Sequence, residues 1–419
     1  MLIKSASMLF VFALNLYLSR KLGASGAGIF FLSVTTVIVA ATIARLGVDH
    51  ALVRFISTLS QESRNADIFR IFRASFVSVF MSTLTIFTLL FFHADTISNV
   101  VFNKPEMGKT LQVFSLSLLA LNAYTITAYS LQGLGQVRTS VIVLNLLPPL
   151  FTLGFAFVLL PTLGIIGGAV AYFFAAVMTL LIGFTTWKVH TRRLVSEVAP
   201  SFALREFMKS SFPLWIVGMM NMLTTWSPLI ILGILASSEQ VGIYNAALRI
   251  AMLISFILLA MNSATAPRFA ALYSAGKLAD LESLIRISTK ILMLTCIPIA
   301  TAIFCFPGEI MGLFGQEFLA GTSTLLILSA GQIINVTTGS VGILLMMSGN
   351  EKVVRNILVF STLLLIVMAF MMIPRFGMIG CATATAFCVI LQNFLMLAQV
   401  KKNVGVNVFG ARVYSHSEP

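Results

Sequence analysis

One arginine lies where an arginine is costly. Arg249 is flanked by Ala246-Ala247-Leu248 and Ile250-Ala251-Met252-Leu253, inside an apolar stretch of membrane length. A charge at such depth costs at least about 2.5–3.5 kcal/mol unless it is paired or wet. On a helical period, Asn245, Arg249, Met252 and Phe256 form one stripe. That stripe offers a fixed cation, an amide and an apolar wall, and guanidinium matches phosphate geometry bidentately. The expected chemistry is reversible capture of an anionic head group. The competing reading is an arginine bonded to helix-end carbonyls.

Other candidates are weaker. Arg45, in Ala44-Arg45-Leu46-Gly47, is either a second phosphate contact or an inner-face anchor. Asp49 lies four residues after it, so a local ion pair is the plainer reading of that carboxylate. Arg54-Phe55 and Arg268-Phe269 occupy matching positions in the two halves. Interfacial anchoring is favoured there over first contact with an incoming anion. Asn122 and Asn262 belong to a set of amides in or near apolar segments, with Asn145, Asn221, Gln332, Asn335 and Asn393. Any one of them is more often interhelical glue than ligand contact. Together they suit a cavity that solvates sugar hydroxyls.

Several chemistries have no motif. There is no GxxxxGK[ST] loop for ATP and no HExxH or paired His ligands for a metal. All 14 acidic residues map to loops or helix ends. Cation exporters and proton relays generally need a carboxylate within the membrane. Direct proton coupling therefore has no evident carrier. The four cysteines all lie in apolar segments and none makes a CxxC, which predicts buried structural thiols. The chain reads as a transporter, not an enzyme, and needs no cofactor.

The elements that must position Arg249 follow from composition. The 419 residues are 58% hydrophobic and 10% charged, with a mean hydropathy of +0.99. A soluble domain cannot bury so much apolar side chain. About twelve membrane-length segments are expected, near 3–22, 27–46, 74–93, 110–131, 139–160, 164–187, 212–234, 242–265, 288–308, 318–346, 353–373 and 377–399. They are apolar all round and do not alternate, so an all-α integral membrane protein is expected, not a barrel.

The net charge of +13 is dispersed among these segments, which argues against nucleic acid. Basic residues favour one set of loops over the other by about four to one, so both termini are expected to be cytoplasmic. Arg20 and Lys21 are the local exception. The first segment lacks a small-residue cleavage site, so no signal peptide is expected. Prolines 148, 149, 228 and 298 fall within segments, where each would bend its helix.

The chain also repeats itself. Leu22-Gly23-Ala24-Ser25-Gly26-Ala27-Gly28-Ile29-Phe30 returns as Leu235 to Tyr244, and Pro161-Thr162-Leu163-Gly164-Ile165-Ile166-Gly167 returns as Pro374 to Gly380. The shift is about 213–214 positions, half the chain, which points to a transporter with a central pathway between two lobes. The expected organisation is an N-lobe over 1–190, a cytoplasmic linker over 191–211, a C-lobe over 212–400 and a polar tail over 401–419. An amphipathic helix is expected near 195–208.

These repeats carry a resemblance. Leu22 to Phe30 resembles the LGxxxxGx[FY] element of the polysaccharide transporters in the multidrug/oligosaccharidyl-lipid/polysaccharide (MOP) flippase superfamily. Val241-Gly242-Ile243-Tyr244-Asn245-Ala246-Ala247-Leu248-Arg249 resembles their VGxYxAAxR element. Ala266-Pro267-Arg268-Phe269 resembles their P[RK] element, and Pro161 to Gly168 and Pro374 to Ala382 their PxxGxxGAA elements. The likeness spans nearly the whole chain. One departure is the short lead before the first segment.

The resemblance implies two six-helix lobes in a MATE-like fold, opening alternately inward and outward. It implies translocation of undecaprenyl-diphosphate-linked oligosaccharide, as in Wzx-type O-antigen flippases of lipopolysaccharide biosynthesis, across the bacterial inner membrane. Membrane lipid and other polysaccharide assembly proteins are the further partners it implies. The alternatives are a MATE-like exporter of another substrate and a membrane subunit of a glycan-assembly complex.

Overall fold

The computed structural model describes residues 2–62, 64–192 and 204–406. Residues 193–203 of the expected linker, with the first part of the helix expected near 195–208, and the tail from 407 onward lie outside the described residues.

Every regular element among the described residues is helical. The principal helices are α1 (Leu2–Ala44), α2 (Val48–Gln61), α3 (Asn65–Phe92), α4 (Met107–Ser115), α5 (Ser117–Gly133) and α6 (Leu147–Thr191). They continue with α7 (Leu204–Leu235), α8 (Ser238–Ser274), α9 (Leu278–Cys305), α10 (Thr322–Thr337), α11 (Val341–Met347) and α12 (Glu351–Gln399).

Nine helical stretches among the described residues are long and apolar enough to cross a membrane. Three of them, Ala6–Ala44, Val137–Thr191 and Glu351–Val404, run to 39, 55 and 54 residues. One crossing needs only about 20. Each is broken at a single glycine with non-helical backbone angles, Gly23, Gly164 or Gly377. Counted as two spans apiece, they bring the total to the twelve expected from hydropathy.

The breaks explain the repeated PxxGxxG element. Gly164 has φ 58° and ψ −137°, and Gly377 has φ 54° and ψ −133°. The two halves therefore use one backbone solution, in a region that a side chain strongly disfavours. Three residues on, the chain folds close against itself. A Cβ on Gly167 would stand 2.1 Å from the Leu159 carbonyl oxygen, and one on Gly380 would stand 2.5 Å from that of Met372. Eight residues separate the partners in each case. Close helix packing and a tight turn, both expected of these glycines, are thus one structure: a corner between consecutive spans.

Prolines behave differently from expectation at one place. Pro148 and Pro149 do not interrupt a helix at its middle. The segment opens with a short turn at Val137–Val141 and a π-helical turn at Ile142–Leu146, and α6 begins at Leu147 with prolines in its first turn. There the missing N–H has no intrahelical partner to lose. Pro298 lies inside α9, as expected.

The chain forms two compact units, Met1–Gly242 and Ile243–Pro419. In the first, α2 is amphipathic and lays Val48, Leu52, Ile56 and Leu59 against Ile68, Ile71 and Phe72 of α3, Ile126 of α5, Trp187 of α6 and Phe207 of α7. Phe72 and Trp187 stack with centroids 4.3 Å apart. Helix α7 belongs by sequence repeat to the second half, yet it packs on α1 and α2. In the second unit, Phe269 of α8 joins Leu281 and Ile285 of α9, Val341 and Leu344 of α11, and Val354 and Met396 of α12.

Candidate functional site

Helix α8 carries four of the expected site residues. The run Val241 to Ala247 is buried throughout, and its small alanines allow close packing. Arg249 follows one turn later, about 17 Å along the helix from Ser238. Its Nε is shielded from solvent and has no hydrogen-bond partner. Among the described residues no carboxylate lies within ion-pair distance of it. One turn earlier, Asn245 is 2% exposed and its Oδ1 also lacks a partner. Met252 and Phe256, on the same stripe, are half-buried. A cation and an amide thus sit side by side in apolar surroundings with hydrogen-bonding capacity unspent. Buried polar groups are almost always paired, so this pair is the candidate site. An anionic oxygen would satisfy the guanidinium, and a donor such as a sugar hydroxyl would satisfy the amide oxygen.

The remaining α8 residues do not join that site. Asn262 lies 13 residues beyond Arg249, about 20 Å along the helix and on a different face. Its Oδ1 is likewise buried without a partner. Arg268 is exposed next to Phe269, which is buried in the second unit's cluster. Arg54 repeats this arrangement. It is exposed, while Phe55 packs on the first unit's cluster and meets Phe207 edge-on at 5.3 Å. In both copies the phenylalanine packs inward and the arginine faces outward.

Arg45 and Asn122 are brought together, but with each other. Arg45 follows the end of α1, where Leu46 (φ 52°) and Gly47 (φ 72°) turn the chain into α2. Its Nε donates to Asp49 Oδ2 at 3.1 Å, its Nη1 to Asn122 Oδ1 at 3.1 Å and its Nη2 to Thr42 Oγ1 at 2.9 Å. Asn122, 1% exposed, donates in turn to Thr83 Oγ1 at 2.8 Å. The ion pair expected from the four-residue spacing is present. The partners Thr42 and Thr83 were not singled out from the sequence. Thr42 was accessible to reasoning, one turn before Arg45; Thr83 depends on how α3 meets α5.

A structural network of this kind has a clear consequence. Arg45→Met should take away the arginine that pairs with the buried Asp49, 8% exposed. Such a loss costs about 3–5 kcal/mol. The variant should show a lowered thermal midpoint in detergent, and Asp49→Asn introduced beside it should recover much of the difference.

Carboxylates elsewhere are engaged too. Arg64 donates to the buried Asp67 at 2.7 Å, and Arg286 to the buried Glu282 at 3.4 Å. No cluster of three or more metal-ligating side chains occurs among the described residues. The amides expected to act as glue do so in the second unit. Asn393 of α12 donates to Asn335 Oδ1 of α10 at 3.1 Å and accepts from Thr338 Oγ1 at 3.1 Å.

Helices that are long and apolar enough to cross a membrane repeatedly, joined by glycine corners, define an all-α multi-pass membrane protein. The sequence profile described as "Polysaccharide biosynthesis protein" matches residues 1–273, and the MatE profile matches residues 214–371. The chain belongs to the polysaccharide biosynthesis protein family, within the MOP flippase superfamily.

Similar proteins agree with this placement. A "Probable low-salt glycan biosynthesis flippase Agl15" from Haloferax volcanii is 25% identical over 390 residues, covering 90% of this chain and 77% of the relative. An inward-facing MATE-family multidrug transporter superposes with TM-score 0.76 at 16% identity, covering 95% of this chain and 94% of the other. The lipid II flippase MurJ, in an inward closed conformation, superposes with TM-score 0.75 at 15% identity, covering 96% and 88%.

Proposed function

We propose that this protein is a flippase for a lipid-linked oligosaccharide, and that its carrier is a polyprenyl diphosphate such as undecaprenyl diphosphate. The observation that carries the reading is the Arg249 guanidinium, without a partner among the described residues, beside the Asn245 amide oxygen, which likewise lacks one there. Moving a diphosphate through a low-dielectric region is costly, and a fixed cation offsets that cost. The lipid tail stays in or near the bilayer while the glycan crosses. No covalent step is needed. The two repeated lobes, 1–190 and 212–400, rock by alternating access, with both termini on the cytoplasmic side of the plasma membrane. The glycan is a repeat unit of a surface polysaccharide, of the O-antigen type. The flippase relative from Haloferax volcanii supports a glycan cargo.

A MATE-like exporter is the second reading, favoured by the MatE match over residues 214–371. It needs a carboxylate free to hold a cation. The buried carboxylates Asp49, Asp67 and Glu282 are each bonded to an arginine, which supports the flippase. The test is complementation of flippase-deficient strains that make defined glycans, scored by surface polysaccharide. Restored export of at least one glycan, without resistance to cationic drugs, is expected. Drug efflux without glycan export would favour the exporter.

A further inference from the structure

A second buried cation lies in the loop between α3 and α4 of the first unit. Lys104 is 5% exposed, an unusual position for a lysine. Its Nζ donates to the backbone carbonyls of Phe102 at 3.1 Å, of Ala236 at 2.8 Å and of Gly233. Gly233 lies in the last turn of α7 and Ala236 immediately follows that helix, where a cation also complements the helix dipole. All three ammonium protons are thereby used. Burial lowers the Lys104 pKa from the ordinary lysine value, with the charge of Glu106 opposing that shift.

The loop is built to present this side chain. Asn103 takes a left-handed backbone (φ 51°), and Ser98 Oγ donates to the Lys104 carbonyl. Glu106 accepts from Ser238 Oγ at 3.4 Å. A crevice lined by Asn103, Lys104, Glu106, Leu235, Ala236 and Ser238 opens beside the contact. The same α7–α8 corner is held from another side by α1. Gly28 lies so close to it that a Cβ there would be 1.7 Å from the Ser238 carbonyl oxygen. The uneven distribution of basic residues puts this corner at the outer membrane surface.

We propose that Lys104 is a releasable latch that holds the α7–α8 corner shut at the outer surface. The proposal rests on the flippase reading for its purpose: a bulky glycan leaving outward must pass a corner that can open. The hold consists of side-chain hydrogen bonds to a helix end, with no disulfide and no carboxylate pair. It can therefore open and re-form without disturbing the apolar packing beneath it.

The test uses the full chain in cells, with the four native cysteines replaced and Ser238→Cys as reporter. A membrane-impermeant maleimide is added outside, and the labelling rate is compared with and without Lys104→Met. Ser238 is 6% exposed, so the parent should label slowly. Losing the charged hydrogen bonds should speed labelling about tenfold, with the thermal midpoint little changed. Glu106→Gln, which removes no bond to the α7 carbonyls, should label like the parent. Should Lys104→Met fail to accumulate, Lys104→Gln is read in the same way. Equal rates with and without the lysine would overturn the latch. So would faster labelling accompanied by a large loss of thermal stability, because the lysine would then be structural only. Labelling needs no glycan, so a failed complementation assay leaves this result readable.

Discussion

Arg249→Ala is expected to abolish glycan export while the chain still reaches the membrane at its normal level. The two outcomes separate because of where the residue stands. Removing a structural arginine takes away the counter-charge of a carboxylate, as at Arg45, which pairs with Asp49. Arg249 strands nothing, since no ion pair or hydrogen bond to its guanidinium occurs among the described residues. Deleting an unpaired charge from an apolar helix relieves a cost of at least about 2.5 kcal/mol, so the variant should be no less stable than the parent. Export should fall at least 100-fold, because a bidentate charge-assisted contact to a desolvated diphosphate is worth about 3 kcal/mol or more. Arg249→Lys keeps the charge but loses the planar fork, and should retain an intermediate rate. Surface polysaccharide, normalised to membrane protein level, reads all three. Normal export by the alanine variant would remove Arg249 from the mechanism.

The second large effect is expected at the glycine crossing. Gly28→Val should prevent accumulation of folded protein, and Gly242→Ala should do nearly as much. A Cβ on Gly28 meets the Ser238 carbonyl oxygen at 1.7 Å, and one on Gly242 meets that of Ala24 at 2.1 Å. These obstacles are backbone, so no side-chain rotation relieves them. Overpacking of this kind costs about 3 kcal/mol or more. Gly154 supplies the contrast. It lies in α6 with nothing within 4 Å of an added Cβ, and Gly154→Ala should be neutral or slightly stabilising through helix propensity. Fluorescence-detected size-exclusion profiles of the three variants read the difference directly. A monodisperse, fully expressed Gly28→Val protein would mean that α1 and the α7–α8 corner do not meet as described.

That pair of glycines shows what the sequence could and could not convey. Gly28 and Gly242 stood out as matching positions in a repeat, and hydropathy alone placed all twelve spans. Both signals are local or periodic, which is why they survive without coordinates. That the two matched glycines touch each other is tertiary information, invisible to either signal. The corners at Gly164 and Gly377 were half-legible: the spacing suggested a tight turn, and the shared backbone angles supplied its form. At Pro148-Pro149 the hydropathy segment ran through a π-helical turn, which is as apolar as the helix it precedes.

The site divided along the same line. The cost of burying Arg249 was legible, because it depends only on depth in an apolar helix. The role of Arg45 was not, because its partner Asn122 is 77 residues away and Thr83 reaches it only through Asn122. Lys104 gave no signal at all. A lysine in a polar loop looks solvated until α7 is seen to end beside it.

The most direct test is one binding measurement. Purified protein in lipid nanodiscs would be titrated with a polyprenyl diphosphate and with the matching uncharged polyprenol, for the parent and for Arg249→Gln. The account predicts that the parent prefers the diphosphate and that the glutamine variant loses at least about tenfold in affinity for the diphosphate alone, one charge-assisted contact's worth. Equal diphosphate affinity in the two proteins would contradict it.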